Sequence, residues 1–490
     1  MILQFNMITR YLSYPKELHY KWLVLLSAAL SIFGTAFDRG SSNVIIPEIA
    51  QHFSADIPTV QWVAISYLVV ISALMLPLGR LADIIGRKIV IVVGLLVFTV
   101  GGIVSAFSPE MLFLFAGRIL QGFGGAMIQG TSMVLVLNAF GQGQRGRAIG
   151  LVMIFVGMGN IAGPAIGGFI TGILGWRAVF LATSLITLVS AVLAITVLKS
   201  DTDERDTAGV FDWFGAFYFT NFLITLLAGF TMVPSYGWTS IYTLPILGLS
   251  VILLIAFITR SIKFNDPVLD LKLFRRPLFT TSILALLLCF LGMSSVWFVL
   301  PFYLKYVLSY TPQQIGMVFM PAAVGTVIAG PISGRLSDKF GWRPFTVTGL
   351  MLVTSGLIAL SFLDENSPMW LPILGVLPIS TGMGTFYGPN NNATLSVIDE
   401  KSYGAVVGFI NLIRNSGNLI AVPIATLIVT SVMSSQGHPP DLTAVTKETT
   451  AGLIPSFISG MNTTCIALTV LVGLGTLLSF YKGKPVLFKS

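Results

Sequence analysis

One short charged segment occurs twice in this chain of 490 residues. The sequence GRLADIIGRK at 79–88 returns 255 residues later as GRLSDKFGWR at 334–343, with Gly, Arg, Leu, Asp and Gly at the same offsets. Each copy separates two long apolar stretches. Because a repeated connector implies a repeat of the helices that it joins, the chain is predicted to be a duplicated membrane bundle, as many secondary transporters are.

The composition agrees with a lipid environment. Hydrophobic residues make up 54% of the chain and charged residues only 10%, against about 25% charged in an average soluble domain. Apolar runs of about 20 residues, the length needed to cross the hydrocarbon, predict fourteen spans. With a cytoplasmic N-terminus, 22 of the 28 Lys and Arg fall on the cytoplasmic side and three outside. This asymmetry predicts that both termini are cytoplasmic and explains the net charge without nucleic acid.

The two copies of the repeat also place the duplication within the chain. The first copy joins spans two and three and the second joins spans ten and eleven, so two spans are inserted between two six-helix halves. The predicted parts are a cytoplasmic segment at 1–20, a six-helix bundle at 21–199, a linker at 200–277 with two additional spans (about 213–233 and 241–259) and a cytoplasmic connector, a second six-helix bundle at 278–482, and a cytoplasmic tail at 483–490.

Asp38 is the only acidic side chain deep in any of the twelve core spans. A charge at the centre of the bilayer costs about 2.5–3.5 kcal/mol on insertion scales, so such residues usually serve function. Loss of hydration also favours the protonated form of a carboxyl group. Asp38 is therefore predicted to carry a proton; the alternative is a static ion pair with Arg39 or Arg118.

Four segments in order resemble motifs of the major facilitator superfamily, in its fourteen-span drug–proton antiporter branch. They are the repeated segment, 38–47 (DRGSSNVIIP) in the first span, 118–122 (RILQG) in the fourth and 159–168 (GNIAGPAIGG) in the fifth. The resemblance implies a multidrug efflux transporter with an all-α fold of two six-helix halves plus two extra helices. It implies export of hydrophobic or amphiphilic compounds in exchange for protons, by rocker-switch alternating access.

Polar stripes on apolar helices predict a wet central cavity. On the fourth span Arg118, Gln121 and Gln129 share one face, and Asn411, Arg414 and Asn415 do so on the thirteenth. The alternative for a single Asn or aromatic ring is an interhelical hydrogen bond or ordinary packing. The proposed proton-coupling residues are Asp38, Arg118 and Arg39. The proposed cavity residues are Asn43, Tyr67, Gln121, Gln129, Asn160, Trp297, Phe298, Tyr387, Asn391, Asn411, Arg414 and Asn415.

Two further groups have a mechanical interpretation. The repeated segments contain a predicted conformational switch of Gly79, Asp83, Arg87, Gly334 and Asp338. Asp83 is expected to meet the N-terminus of the thirteenth span near 402–403, where free N–H groups favour an anion. Cytoplasmic charge alone would explain the arginines but not the repeated Asp and Gly. The predicted packing seal is Gly159, Gly163, Pro164 and Gly167. The resemblance implies that the fifth span packs on the other half and bends at Pro164; the alternative is tight packing without a role in coupling.

Arg39 departs from the family pattern, in which a small or apolar residue is usual. Three deep arginines against one aspartate leave room for a second function, the proton-coupled export of an anionic or zwitterionic amphiphile such as a lipid, siderophore or aromatic acid. An enzyme is not expected, because no nucleotide loop, metal motif or Ser-His-Asp set occurs in the sequence. A passive channel would not need the repeated segments.

The expected partners are a small-molecule substrate, protons and the lipid bilayer. No cofactor, metal or nucleic acid is expected, and the proton motive force supplies the energy. The chain is expected to act as a monomer, as a multi-pass protein of a bacterial cytoplasmic membrane.

Overall fold

In the computed structural model of the protein, residues 2–55, 57–141, 144–199, 210–237, 240–399, 402–438 and 452–481 are described, and these residues form fourteen long α-helices and no strand. The helices are α1 (Ile2–Phe53), α2 (Ile57–Ile85), α3 (Arg87–Ala106), α4 (Met111–Phe140), α5 (Arg145–Leu174), α6 (Trp176–Val197), α7 (Trp213–Tyr236), α8 (Thr243–Lys263), α9 (Pro277–Phe302), α10 (Pro312–Phe340), α11 (Arg343–Leu360), α12 (Trp370–Leu395), α13 (Tyr403–Ser435) and α14 (Leu453–Phe480). A 3₁₀ turn at Leu271–Arg275 precedes α9, and a π-helical turn at Tyr303–Val307 follows it.

Thirteen of the described helices are long and apolar enough to cross a membrane. The helix of similar length that does not meet this criterion is α12, which contains Pro378, Pro389 and the run 390–392 of three asparagines. These residues lower its hydropathy although it carries no charge. The all-helical fold is therefore as expected, and the count of fourteen spans stays a prediction.

The repeated segments are mostly helical, with the turn confined to a glycine. Gly86 separates α2 from α3 with a φ of 106°, and Gly341 follows α10 with a φ of 82°. Only glycine adopts this left-handed backbone readily. The second glycine of each copy is thus explained by the sharp turn between two helices.

The chain divides into two compact units. The first unit contains Met1–Phe211 and Asp399–Phe409, and the second contains Asp212–Ile398 and Ile410–Ser490. The helices α7 and α8, which the sequence sets apart as a linker, belong to the second unit. The first turns of α13 belong to the first unit.

Several helix pairs recur in both units. Counting α1–α6 in the first unit and α9–α14 in the second, the third helix packs on the fourth and sixth, the second packs on the fourth, and the first packs on the fourth and sixth. This common pattern is what a duplicated chain should show.

The equivalence extends to close contacts between backbones. A Cβ atom at Gly124 would lie 2.5 Å from the carbonyl oxygen of Gly94, and one at Gly349 would lie 2.7 Å from that of Gly382. Gly94 and Gly349 are again 255 residues apart. Small residues at these positions let the third and fourth helices of each unit approach closely.

An ion pair joins the two additional helices at one end. The carboxylate of Asp212 accepts from the Gly215 backbone N–H at 3.0 Å, which caps α7, and from Arg260 Nε at 3.0 Å. Arg260 lies in the last turn of α8 and its guanidinium also covers the Phe264 ring. Asp212 is buried, so this contact fixes the start of α7 against the end of α8.

Candidate functional site

The centre of the first unit is an ion pair between α1 and α4. Arg118 Nη1 lies 2.8 Å from Asp38 Oδ2, and the two side chains are 0% and 1% exposed. Gln121 Nε2 donates to the other carboxylate oxygen at 3.3 Å, and its own Oε1 accepts from Arg118 Nη1 at 2.7 Å. Both oxygens of Asp38 are thus hydrogen-bonded.

Three other helices hold the Arg118 guanidinium in place. Its Nε donates to the Val63 carbonyl of α2 at 2.9 Å, and its Nη2 donates to Ser42 Oγ of α1 at 3.3 Å. The Tyr67 ring lies 4.6 Å from the guanidinium carbon, and the Phe180 ring of α6 lies 5.7 Å away. Aromatic faces favour a cation at these distances. The guanidinium is therefore fixed by hydrogen bonds and rings even apart from Asp38.

The sequence left two arginines as partners for Asp38, and the structure shows Arg118 in an ion pair with it. Arg39 follows Asp38 on α1 and is half-buried. Burying such a pair costs desolvation free energy, which the attraction between the two charges offsets. Removing one partner leaves the other charge uncompensated.

The glycines of α5 pack beside Asp38. A Cβ atom at Gly163 would lie 2.8 Å from Gly40 Cα and from the Phe37 carbonyl oxygen, and one at Gly167 would lie 2.5 Å from Ser41 Cβ. A Cβ atom at Gly159 would likewise lie 2.7 Å from Ala36 Cβ. The resemblance places this face on the other half of the protein, but in the structure its glycines meet α1. Pro164 lies in the middle of α5 and is exposed.

The carboxylate of Asp83 contacts the first turn of α13. Its Oδ2 accepts from the Ala405 backbone N–H at 3.2 Å, and its Oδ1 accepts from Arg87 at 3.1 Å. The backbones are in close contact, since a Cβ atom at Gly79 would lie 2.6 Å from the Gly404 carbonyl oxygen. The carboxylate therefore binds a free N–H group of a helix N-terminus, the kind of contact that the sequence suggested for it.

The second copy of the repeat makes a different contact within the second unit. Asp338 Oδ1 accepts from Asn392 Nδ2 of α12 at 3.5 Å, and Asp338 is half-buried. Gly334 lies one turn earlier on α10 and is buried. The two equivalent aspartates thus have different partners in their own units.

A second polar group lies between α12 and α13, and we call it the asparagine cluster. It consists of Tyr387, Asn391, Asn411, Arg414 and Asn415. Arg414 Nη1 donates to the Tyr387 hydroxyl at 3.3 Å, which joins the two helices. Asn391 lies one turn after Tyr387, and Asn411 lies one turn before Asn415. The structure therefore joins two of the predicted cavity residues, Tyr387 and Arg414, and places the other three on the same two helices.

The remaining predicted cavity residues are distributed more widely. Tyr67 and Gln121 belong to the ion-pair site, and Gln129 is buried two turns further along α4. Trp297 is 37% exposed and stacks on Phe319 at 4.6 Å, so the described contacts do not bring it to the asparagine cluster.

Three further residues, Phe298, Asn43 and Asn160, complete the predicted cavity set. Phe298 packs on Phe302 at 5.4 Å. The side chains of Asn43 and Asn160 lie outside the described residues.

Some residues of these sites were not found from the sequence. Gly404 and Gly408 are four residues apart on α13, and a Cβ atom at Gly408 would lie 2.7 Å from the Met75 carbonyl oxygen. Their spacing was a readable sign of a close helix contact. Phe180 and the Val63 carbonyl gave no such sign, because an apolar residue in a span is ordinarily packing.

Comparison with known proteins agrees with this architecture. Residues 28–422 match the family model of the Major Facilitator Superfamily. The chain is 31% identical over 396 residues to the riboflavin transporter RibZ of Clostridioides difficile, covering 81% of this chain and 85% of that protein. It is 26% identical over 418 residues to the multidrug resistance protein Stp of Mycobacterium tuberculosis, covering 85% of this chain and 77% of Stp.

A solved structure has the same fold at low identity. The human organic anion transporter MFSD10 (TETRAN) superposes with a TM-score of 0.65 at 14% identity, covering 94% of this chain and 99% of that one. The fold and the family model point to the same conclusion, and so do the relatives. The chain belongs to the Major Facilitator Superfamily, and it is a multi-pass membrane transporter rather than an enzyme.

Proposed function

We propose that this transporter is a proton-coupled exporter, a drug–proton antiporter of hydrophobic or amphiphilic compounds that works by rocker-switch alternating access. The observation that carries the proposal is the ion pair of Asp38 and Arg118, because both charges are buried and hydrogen-bonded. An intramembrane carboxylate of this kind is a functional site by default. The name of the relative Stp supports the export of drugs.

The proton step follows from the partners of Asp38. In the charged state its carboxylate holds Arg118 and Gln121 at 2.8 and 3.3 Å. A proton on the carboxyl group cancels the attraction to Arg118, which keeps its contacts with Val63 and Ser42. Loss of the proton restores the pair. Asp38 can therefore alternate between two states in which α1 and α4 are coupled differently.

Asp83 supplies a second element of the proposal. Its hydrogen bond from the Ala405 N–H ties the end of α2 to the start of α13. We assign this contact to the outward-facing state, in which the cytoplasmic side is closed. Release of the contact would accompany opening to the cytoplasm, so its strength sets the balance between the two states. The proposal places the protein in the cytoplasmic membrane.

A second candidate is a dedicated exporter of an anionic or zwitterionic amphiphile. Deep in the spans, three arginines (Arg39, Arg118 and Arg414) stand against one aspartate, Asp38. This excess of positive charge disfavours a simple site for lipophilic cations. The relative RibZ is named for a single compound, riboflavin. A dedicated substrate is therefore the main rival of multidrug export, and both candidates use the same proton site.

Reconstituted transport distinguishes the candidates. Proteoliposomes with an acidic lumen would be loaded from outside with ethidium, riboflavin or a fluorescently labelled anionic amphiphile, and uptake compared with and without the pH gradient. Multidrug antiport predicts gradient-driven uptake of ethidium. Uptake of riboflavin or the anion alone would favour a dedicated exporter. Uptake that does not respond to the gradient would contradict proton coupling.

A further inference from the structure

Some buried atoms of the asparagine cluster have no hydrogen-bond partner. Asn415 is 1% exposed, and neither its Oδ1 nor its Nδ2 has a hydrogen bond among the described residues. Asn391 is 4% exposed, and its Oδ1 has none either. Buried amides are normally hydrogen-bonded, so each exception requires an explanation.

The neighbouring asparagines show that the helices could have satisfied these groups. On α12, Asn390 Nδ2 donates to the Ser282 carbonyl at 3.1 Å and Asn392 Nδ2 donates to Asp338 at 3.5 Å. On α13, Asn418 Oδ1 accepts from the Ser294 hydroxyl. Among the described residues of α12 and α13, the buried amides with unpartnered atoms are those of Asn391 and Asn415.

The open atoms define what a ligand must offer. Two carbonyl oxygens, of Asn391 and Asn415, require donors, and the Asn415 amide nitrogen requires an acceptor. Exchanging the oxygen and nitrogen of Asn415 changes nothing, because both of its atoms are open. A carboxylate only accepts hydrogen bonds and would leave both carbonyl oxygens unpaired.

Charge argues against a cationic ligand. Arg414 carries a positive charge within the cluster, and α9, α11, α12, α13 and α14 contain no Asp or Glu. The Tyr387 ring, packed edge to face on Phe290 at 6.1 Å, gives the cluster an aromatic side. A flat ring with a polar edge fits such a combination.

We propose that the asparagine cluster recognises the exported substrate and binds uncharged aromatic compounds that carry an N–H group next to a carbonyl on one edge, as an imide or a lactam does. The imide N–H would donate to an asparagine oxygen, and the adjacent carbonyl would accept from Asn415 Nδ2 or Arg414. The inference rests on the proposed function, since it names the substrate class of that transporter. It divides the work between the units, with proton coupling at Asp38 and substrate recognition at Asn415.

Two probes that differ by one donor test the proposal. The full-length protein in nanodiscs would be titrated with 1,8-naphthalimide and with its N-methyl derivative, which has no N–H. The N-methyl compound should bind about tenfold more weakly or worse, because it leaves a buried carbonyl unpaired. The variant Asn415→Leu should lose a similar factor for the naphthalimide and no longer distinguish the two probes.

A matched variant controls for general damage. Asn418→Leu removes an amide one turn away whose oxygen already has a partner, and it should bind naphthalimide like the parent protein. Asn415→Leu should melt no lower than the parent, because an unpartnered amide is replaced by an apolar group of similar size. A clearly lower melting temperature would overturn the claim that Asn415 is unsatisfied without ligand.

The remaining outcomes separate this inference from the proposed function. Equal binding of both probes, or stronger Asn415-dependent binding of 1-naphthoate or ethidium, would overturn the imide assignment. If gradient-driven export persists while naphthalimide does not bind, the inference fails and the function stands. If naphthalimide binds as expected while the pH gradient drives no transport, the function fails and the recognition site stands.

Discussion

Arg118 Nη1 and Asp38 Oδ2 are 2.8 Å apart at a position where neither side chain is accessible to solvent. The pair joins α1 to α4. Removing either charge therefore leaves the other buried without its counter-charge.

A double-mutant cycle should reveal this dependence. Asp38→Asn and Arg118→Gln should each lower the free energy of unfolding by about 3–5 kcal/mol, the usual cost of an unpaired buried charge. The double variant should recover most of the loss, because no charge is left. Stability in detergent measures all three, and additive losses would show that the charges do not interact.

The contact between α5 and α1 gives a prediction with a control on the same helix. A Cβ atom at Gly163 would lie 2.8 Å from the backbone of α1, whereas one at Gly172 would meet no atom within 4 Å. Gly163→Ala should therefore destabilise the protein by about 1–3 kcal/mol, the usual cost of overpacking. Gly172→Ala should be neutral or slightly stabilising, since Ala favours a helix. Equal melting temperatures for the two variants would contradict the packing described.

The hydrogen bond from Ala405 to Asp83 predicts unequal effects at the two copies of the repeat. Asp83→Ala removes an acceptor for the α13 N-terminus, and a hydrogen bond to a charged group contributes about 1.5–3 kcal/mol. Asp338→Ala removes a 3.5 Å contact from the Asn392 side chain and no contact with a helix N-terminus that the described residues show. Transport rate and the hydrogen exchange of residues 402–409 should change more in the first variant. Equal hydrogen exchange of these residues in the two variants would contradict a role of Asp83 in the conformational switch.

The ion pair of the additional helices should be structural. Arg260→Gln leaves the buried Asp212 carboxylate with the α7 cap but without a counter-charge. Hydrogen exchange at the ends of α7 and α8 should increase while gradient-driven transport stays close to that of the parent. Because Arg260 is partly exposed, we expect a smaller loss of stability than for Arg118→Gln. Loss of transport with unchanged exchange would assign these helices a part in coupling.

The repeat and the apolar runs were sufficient to predict the all-helical duplicated fold, because each helix of a membrane bundle is long and continuous in sequence. The position of Asp83 near the start of α13 could also be anticipated from the repeated Asp and Gly. The partner of Asp38 could not, since it depends on which face of α4 meets α1. In the sequence, Arg39, which is adjacent to Asp38, is as good a candidate partner as Arg118 on the fourth span.

Other details required the packing of the helices. The spacing of the α5 glycines predicts a smooth ridge but not the helix that lies on it, which is α1 in the structure. The stripe of asparagines on α13 predicts a polar face, but only the structure separates the satisfied Asn418 from the open Asn415. Periodicity gives the face of a helix, whereas hydrogen-bond satisfaction depends on its neighbours.

The central claim, that Asp38 couples a proton to transport, is tested most directly by separating exchange from accumulation. In proteoliposomes, Asp38→Asn should still exchange labelled for unlabelled substrate without a gradient, because asparagine imitates the protonated carboxyl. The same variant should fail to accumulate substrate when a pH gradient is imposed. Gradient-driven accumulation by Asp38→Asn at the level of the parent protein would contradict the claim.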